Sequence, residues 1–479
     1  MSRTSLYQQL ALHYRQAIEV GTLRVGDKLP SLRTLMQLHG VSLSTALQAC
    51  RTLESMGWVQ GRDRSGYVVQ RPRNGGLAPK KAGAAIAQLP DPAQFVGIHE
   101  KVSRFIARRQ QGGVEFDLSI AYCAPQWYPG EALRATLARS LRQYPHWLTE
   151  PPPAQPPQRF GEAIAQRALL AGMRLSPQDV LPTHGCTEAL HLALRAVTQP
   201  GDVVAVESPA FYGLLQVLES LGLRALEVPA SAQTGLSVDA LELALTAYEG
   251  IRAVVVVPRL HNPLGSVMPD AHKTRLVRLC AAQSVAVIED DCYSELMDDG
   301  HVPRALQSFD TDGSVIHCAS LHKVLAPGLR LGWIYGGRWH TRVQMLKHAS
   351  SRHNAALSLH AVGEFMQSGA YDRHLHKLRA ALRVQRERSA SCIAKHFPAG
   401  TRIALPPGGM QLWVELPEEL SATAVFEAAL RDGILVAPGT LFSNTGRVDH
   451  CLRINCGWPW SAQRENALRR LGVLAASLP

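Results

Sequence analysis

No stretch of this 479-residue chain approaches the ~18 to 20 uncharged apolar residues that a membrane-crossing helix needs. The opening residues, Met1-Ser2-Arg3-Thr4-Ser5-Leu6-Tyr7-Gln8-Gln9, lack the apolar core of a signal peptide, so a cytoplasmic protein is expected. Paired cysteines are missing as well. The nine present, at 50, 123, 186, 280, 292, 318, 392, 451 and 456, are odd in number and scattered. With no CxxC pair and no Cys/His spacing that suits zinc, reduced thiols are expected and a metal is not.

What the chain does have is enough apolar residue for a large core, 46% of the total. Single cores stop growing near ~250 to 300 residues, so more than one domain is expected. Net charge is +11 and unevenly spread: residues 1–80 carry 11 Lys+Arg and 4 Asp+Glu, or +7, which leaves +4 for the other 399. A positive field concentrated at one end suits a surface that meets phosphates, and a solvated basic face gives the same count.

In that basic segment Leu6, Leu10, Tyr14 and Ile18 recur every four residues, one apolar stripe on a helix ending near Gly21. Ser31 can cap a second helix with Leu32, Leu35 and Leu38 inward. Gly40 supplies a sharp turn, and Val41-Ser42-Leu43-Ser44-Thr45 opens a third helix that buries Ala46, Leu47, Ala49, Cys50 and Leu53. Helix, glycine turn, helix is the helix-turn-helix pattern, whose second helix points its first residues at base edges. Ser42, Ser44, Thr45 and Gln48 are therefore the candidates to read sequence. Trp58-Val59-Gln60 and Tyr67-Val68-Val69 then form a hairpin whose basic tip, with Arg62 and Arg64, can lie along phosphates. From Arg71 to about Gln94 the chain turns to Pro, Gly, Ala and Lys with no apolar period, which reads as a flexible tether.

Residues 6–70 resemble the winged helix-turn-helix of the GntR family of bacterial repressors. The resemblance is carried by Leu6-Tyr7, Gln9-Leu10, Ala17-Ile18, Gly21, Leu23, Gly26, Leu29-Pro30-Ser31 with Arg33, Gly40-Val41-Ser42, Thr45, Leu53, Gly57 and Ser65-Gly66. It implies DNA contacts at Arg33 and Gly66. Where many members have an Arg after the Ser of the Gly-Val-Ser turn, this chain has Leu43, so operator sequence does not carry over.

Beyond Leu175 short apolar strands alternate with helical stretches: 179–181, 203–206, 253–257, 285–288 and 314–317. Such alternation means an α/β fold, a mostly parallel sheet whose ligands sit at the carboxyl ends of the strands. Thr183-His184-Gly185-Cys186-Thr187 follows one strand and opens a helix, a place for a phosphate, with Ser320 and Arg330 able to add a hydroxyl and a guanidinium. Lys323 alone would be a surface lysine; after a buried strand and beside an anion site, it can be a desolvated amine that attacks an aldehyde. Asp290 either starts a helix or, at its strand end, holds a pyridine nitrogen protonated. Asn262 and Tyr293 can donate to a phenolic oxygen, and Phe211 can stack on a ring. Arg453, in Cys451-Leu452-Arg453-Ile454-Asn455, is either paired in the core or placed for an anion such as a carboxylate.

Residues from about 96 to 475 resemble the fold-type I aminotransferases, which bind pyridoxal 5′-phosphate (PLP). The matching residues are Asn262-Pro263-Leu264-Gly265, Glu289-Asp290-Asp291 with Tyr293, Ser320-x-x-Lys323 with Leu325-Ala326-Pro327-Gly328-Leu329-Arg330-Leu331-Gly332-Trp333, Gly408-Gly409-Met410, Ala437-Pro438-Gly439 with Phe442, and Arg453. By that resemblance Lys323 carries the internal aldimine, Asp290 pairs with the pyridinium, and Asn262 and Tyr293 hold the phenolic oxygen. Ser320 and Arg330 bind the phosphate, and Arg453 takes a substrate carboxylate. Head and body together resemble the MocR/GabR group of regulators. The division expected is a winged head at 1–70, a linker at 71–94 and a PLP-binding domain at 95–479 with a smaller C-terminal α/β subdomain.

Two departures stand out. The residue before the lysine is commonly Ser and here is His322, and the segment where relatives often place a Tyr, a Gly and a Leu-Arg pair is Pro151-Pro152-Pro153-Ala154-Gln155-Pro156-Pro157. No second arginine is evident, so dicarboxylic ligands are not favoured. The resemblance implies a homodimer on paired DNA half-sites that senses an amine or amino acid by aldimine exchange at Lys323. A working aminotransferase with an accessory head is the alternative, and a PLP-free scaffold is a third.

Overall fold

The computed structural model describes residues 6–19, 23, 26–62, 66–70, 94–95, 97–110, 113–151 and 157–478. The tether at 71–93, Arg64 at the hairpin tip and Pro152–Pro156 lie outside them.

The head is built as its spacing predicts. Leu10, Tyr14 and Ile18 bury one side of α1 (Leu6–Glu19), while Leu6, at the first helical position beyond the core, is 64% exposed. Ser31 caps α2 (Leu32–His39) by accepting from the Thr34 amide at 3.1 Å. Leu35 is buried, but Leu38, expected inward, is exposed. A row spaced by three drifts roughly 60° per step round a 3.6-residue helix and so leaves the buried face. Gly40 takes the left-handed conformation at φ 60°, and Ser42 then caps α3 (Leu43–Ser55), whose Ala46, Leu47, Ala49, Cys50 and Leu53 are all buried. Strands β1 (Val59–Arg62) and β2 (Gly66–Val69) pair antiparallel, with Val59 opposite Val69.

In the body, β3 (Gln94–Phe95), β4 (Leu181–Thr183), β5 (Val203–Ser208), β6 (Arg224–Ser231), β7 (Ile251–Val256), β8 (Ala286–Asp291), β9 (Val315–Ser320) and β10 (Gly332–Tyr335) form one sheet in the order β3-β6-β5-β7-β8-β9-β10-β4. The run from β6 to β9 is parallel, and β10 and β3 are antiparallel to their neighbours. The central strands are buried throughout, which is why they read as continuous Val/Ile/Ala runs rather than alternations. Gln94, expected at the end of the tether, pairs with Ala225. The strand expected at 179–181 begins only at Leu181, because Pro177–Asp179 forms a 3-10 turn closed by a Ser176–Asp179 capping box.

Two helices on one face matter for the site, α4 (Cys186–Val197) and α5 (Tyr212–Ser220), each starting at the carboxyl end of a strand. A smaller four-stranded antiparallel sheet follows: β11 (Arg402–Ala404), β12 (Gln411–Glu415), β13 (Ala437–Pro438) and β14 (Cys451–Asn455), in the order β11-β12-β14-β13. One hydrophobic cluster joins it to the large sheet through Leu190, Leu215, Ile288, Trp413 and Leu452. The two sheets thus form one packed body, with Arg453 of β14 facing the strand ends of the larger one. Among the described residues no helix is long and apolar enough to cross a membrane.

Candidate cofactor site and DNA-binding head

Lys323 lies three residues beyond β9. Its Nζ donates to the Ala121 carbonyl at 2.7 Å and stands 4.1 Å from the centre of the Tyr122 ring and 5.8 Å from that of Tyr293. Burial, opposed by Cys292 and assisted by the Arg453 cation, brings the amine down to about 8. A lysine so placed has a usable fraction of neutral, nucleophilic amine at neutral pH.

Asp290, on β8, accepts from the thiols of Cys186 at 3.2 Å and Cys292 at 3.1 Å. Burial pushes its carboxyl up, and the two thiols hold it back. Their donor atoms and the carboxylate oxygen lie within 4.8 Å of one another, a spacing that metal ligands also show. Spacing along the chain gave no sign of this trio, since α4 brings Cys186 to β8 from 104 residues away. Here the thiols serve Asp290: the bond to Cys292 and burial hold Cys186 well above its ordinary range, and therefore protonated.

Tyr293 accepts from Gln411 Nε2 at 3.1 Å, which leaves its own hydroxyl proton for another acceptor, and burial keeps that proton on. Asn262 accepts through Oδ1 from Arg453 Nη1 at 3.1 Å, and this bond leaves its amide N–H groups to donate elsewhere. Arg453 is fully buried, gives Nη2 to the Ser119 carbonyl, and lies 5.0 Å from the Phe442 ring and 5.7 Å from that of Tyr212. Its Nε has no partner among the described residues. Both of its partners are neutral oxygens, so the guanidinium charge is held in place and left for an anion.

At the start of α4, Gly185 sits at φ 87° with no side chain to cap the helix, so the first amides remain for a ligand. Cys186 turns its thiol to Asp290, whereas Thr187 is exposed. The Ser320 hydroxyl accepts from the His322 amide at 3.3 Å, and Arg330, at φ 54°, reaches the His184 carbonyl at 3.3 Å. Phe211 opens α5, its ring 4.9 Å from that of Tyr212 and against Gly213; only the position of α5 after β5 relates it to Lys323.

Behind this surface, Glu289 accepts from His317 Nδ1 at 2.9 Å and from the amides of Leu306 and Gln307, while Arg259 pairs with Asp291. These buried groups tie β8 to β9 and to the turn at Leu306–Phe309. Sequence reasoning missed them, together with Cys292, Gln411, Ser119, Ala121 and Tyr122. The last three carry no local motif and meet Lys323 or Arg453 only through the fold.

In the head, Arg33 is exposed on α2, and Gly66 opens β2 at φ 77°. Ser42 spends its hydroxyl on the Thr45 amide and on the hydroxyls of Ser44 and Thr45 at 2.9 and 2.8 Å. Ser44, Thr45 and Gln48, expected at the reading face, are 5 to 7% exposed. Arg62 ends β1, with its side chain outside the described residues.

The pattern of the aminotransferase class I and II family matches residues 135–471. The chain belongs to this family. In front of this aminotransferase-family body, residues 6–69 match the bacterial regulatory proteins of the gntR family, a DNA-binding unit. The whole chain is similar to the uncharacterized HTH-type transcriptional regulator YjiR of Escherichia coli (strain K12), 36% identical over 471 residues that cover 97% of this chain and 98% of that one. A second regulator of that organism, the uncharacterized YdcR, is also 36% identical over 471 residues, 98% of each chain. Among solved structures, the α-aminoadipate aminotransferase LysN of Thermus thermophilus superposes with a TM-score of 0.70 at 27% identity, covering 79% of this chain and 96% of that one.

The cofactor of this family is PLP, and the residues present fit it. A desolvated lysine, a buried carboxylate, two donors with free protons, an uncapped helix start and an orphaned guanidinium Nε are joined by contacts among Lys323, Tyr293, Asn262, Arg453, Asp290 and Cys186.

Proposed function

We propose that this chain is a PLP-dependent DNA-binding transcriptional regulator that senses an amine or amino acid at Lys323. The observation that carries the reading is the fusion of a GntR-family head to an aminotransferase-family body. When bound, PLP supplies an aldehyde that condenses reversibly with primary amines, and a ring that withdraws electrons.

The chain's own residues would act as follows. Lys323 offers its neutral amine; Asp290, fixed by two thiols, holds the proton on the ring nitrogen. Asn262 and Tyr293 donate to the phenolic oxygen. The amides at Gly185, Cys186 and Thr187, with Ser320 and Arg330, bind the phosphate, and Phe211 covers the ring. Arg453 binds the effector's carboxylate, and with no second arginine assigned, a monocarboxylic ligand is preferred. In the head, Arg33, Ser42, Ser44, Thr45, Gln48, Arg62, Arg64 and Gly66 would meet DNA. Because Ser44, Thr45 and Gln48 are buried, base reading requires that face to be uncovered. An effector can drive the change only by binding the two arrangements with different affinity.

The chain then divides into a head at 1–70, a tether at 71–94 whose last residue, Gln94, already pairs into the body's sheet, and a body at 95–479, working in the cytoplasm as a homodimer whose two heads meet paired half-sites. The test is fluorescence anisotropy of the purified protein with its own upstream DNA, with and without PLP and a panel of amines. Binding that responds to PLP and to an amine supports the reading, and no binding under any condition refutes it.

One observation favours catalytic turnover as a second reading: the buried amine of Lys323, brought down to about 8, has Arg453 and Asp290 among its neighbouring charges. The 2-aminoadipate transaminase of Thermus thermophilus, 29% identical over 353 residues, is similar to this body. A steady-state assay with amino donors and a keto acid separates the two, since a regulator's spectral change stalls after one equivalent.

A further inference from the structure

His322 stands directly before Lys323, and only 7% of it is exposed. Its imidazole occupies the space that a side chain at position 185 would need, so the ring lies against Gly185 at the uncapped start of α4. Ser320 and Arg330 flank the same space through the His322 amide and the His184 carbonyl. Nε2 of His322 has no hydrogen-bond partner among the described residues. Buried polar atoms are nearly always satisfied, so an orphaned nitrogen at an anion-binding helix start points to a ligand.

We propose that Nε2 of His322 binds the cofactor's phosphate as an imidazolium N–H donor, so that cofactor binding takes up one proton at this ring. The inference rests on the PLP reading and adds to it a proton-linked anchor.

The charged groups around the ring set the direction. Burial, then the cations of Arg330 and Lys323, push the free imidazole down to about 4, against a hydrogen bond with the Arg330 backbone. From the chain entering α4 the ring meets Gly185; nearby, His184 is held to Glu188 at 3.1 Å and the Cys186 thiol is turned to Asp290. From the other side, Tyr128 gives its hydroxyl to the His322 carbonyl at 3.4 Å. No carboxylate among these contacts pairs with the imidazole. A phosphate monoester dianion against Nε2 supplies the missing anion and favours the protonated ring. No covalent bond changes, and the proton comes from solvent. Between the empty-site and occupied-site values, affinity then rises as pH falls, by up to about tenfold per pH unit. A hydroxyl at 322 could donate to phosphate but could not carry this charge.

The test is calorimetric titration of the cofactor-free full-length protein with pyridoxamine 5′-phosphate, which has the phosphate but no aldehyde. Wild type, His322→Ser and His322→Gln are compared at several pH values in two buffers of different protonation enthalpy. Wild type should take up more protons than either variant, approaching one per site, and lose affinity more steeply as pH rises. Protons contributed by the phosphate itself are common to all three and cancel. Equal uptake and equal slopes overturn the proposal. Should both variants fail to fold, nitrogen NMR of the histidine-labelled wild type decides, because a neutral His322 ring in the complex also overturns it. A wild type that binds PLP with its usual visible absorption but shows no His322 dependence removes this inference alone. A wild type with no such absorption removes the cofactor reading as well.

Discussion

Burial, with the Arg453 cation adding to it, brings the amine of Lys323 down to about 8 from the ordinary lysine value of 10.5. At pH 7 an amine at about 8 is roughly one-tenth neutral, whereas one at 10.5 is neutral in about one molecule in 3,000, a difference of about 300-fold in nucleophile. Rapid mixing of the cofactor-free protein with PLP from about pH 6 to about pH 10, followed by visible absorption, reads this directly. Bond formation to Lys323 should accelerate with pH, pass its midpoint near 8 and level off by roughly pH 9 to 10. The neighbours give the sign of two further shifts: Arg453→Leu removes a cation that depresses the amine and should move the midpoint up, and Asp290→Asn removes an anion and should move it down. A midpoint that stays near 10, or one that ignores Arg453→Leu, would refute the argument from burial and charge.

Three other outcomes are expected. Arg453→Leu should weaken the spectral response to α-amino acids roughly 10- to 100-fold, the worth of a charge-assisted hydrogen bond, while the response to simple amines is nearly kept; ligand titrations with matched amine and amino-acid pairs check it. Glu289→Gln should cost the body about 3 to 5 kcal/mol near neutral pH, since His317 loses its hydrogen-bonded carboxylate and Arg259 is left with Asp291, and thermal unfolding measures this. Burial opposes the Glu289 charge, but His317 and Arg259 hold its carboxyl down to about 2. Its contribution is therefore present above the ordinary carboxylate value and lost as pH falls toward 2, so wild type and variant should converge on acidification. Leu53→Ala, in the head's core at 1% exposure, should cost about 2 to 5 kcal/mol and abolish DNA binding while leaving PLP absorption unchanged.

Much of this molecule is written locally in its sequence. The four-residue stripe of α1, the Ser31 and Ser42 caps and the glycine turn at 40 are short-range signals, and the head follows them. The central strands announce themselves as apolar runs because both of their faces are covered, and their carboxyl ends deliver Asp290 and Ser320 to one edge. Where a local feature outranks the apolar signal, the sequence misleads: the Ser176–Asp179 capping box delays a strand to Leu181, and three-residue spacing carries Leu38 out to solvent. The environment of the site is not local at all. The thiols that steady Asp290 come from α4 and from the end of β8, and Ala121, which accepts from Lys323, lies 202 residues before it. Such partners are chosen by topology and leave no spacing to read. His322 is the opposite case: the sequence shows it plainly beside the lysine, and only the structure shows that its Nε2 is buried and unmet.

If one chain couples amine chemistry at Lys323 to DNA binding by its head, an amine must change the affinity of the head for DNA through that lysine. The most direct measurement is anisotropy of a labelled fragment of the DNA upstream of this gene, titrated with wild type and with Lys323→Ala, each with PLP and with and without an amine that alters the wild-type spectrum. The amine should shift the DNA affinity of wild type and leave that of Lys323→Ala unchanged. Equal responses in both proteins, or no DNA binding by either, would contradict that coupling.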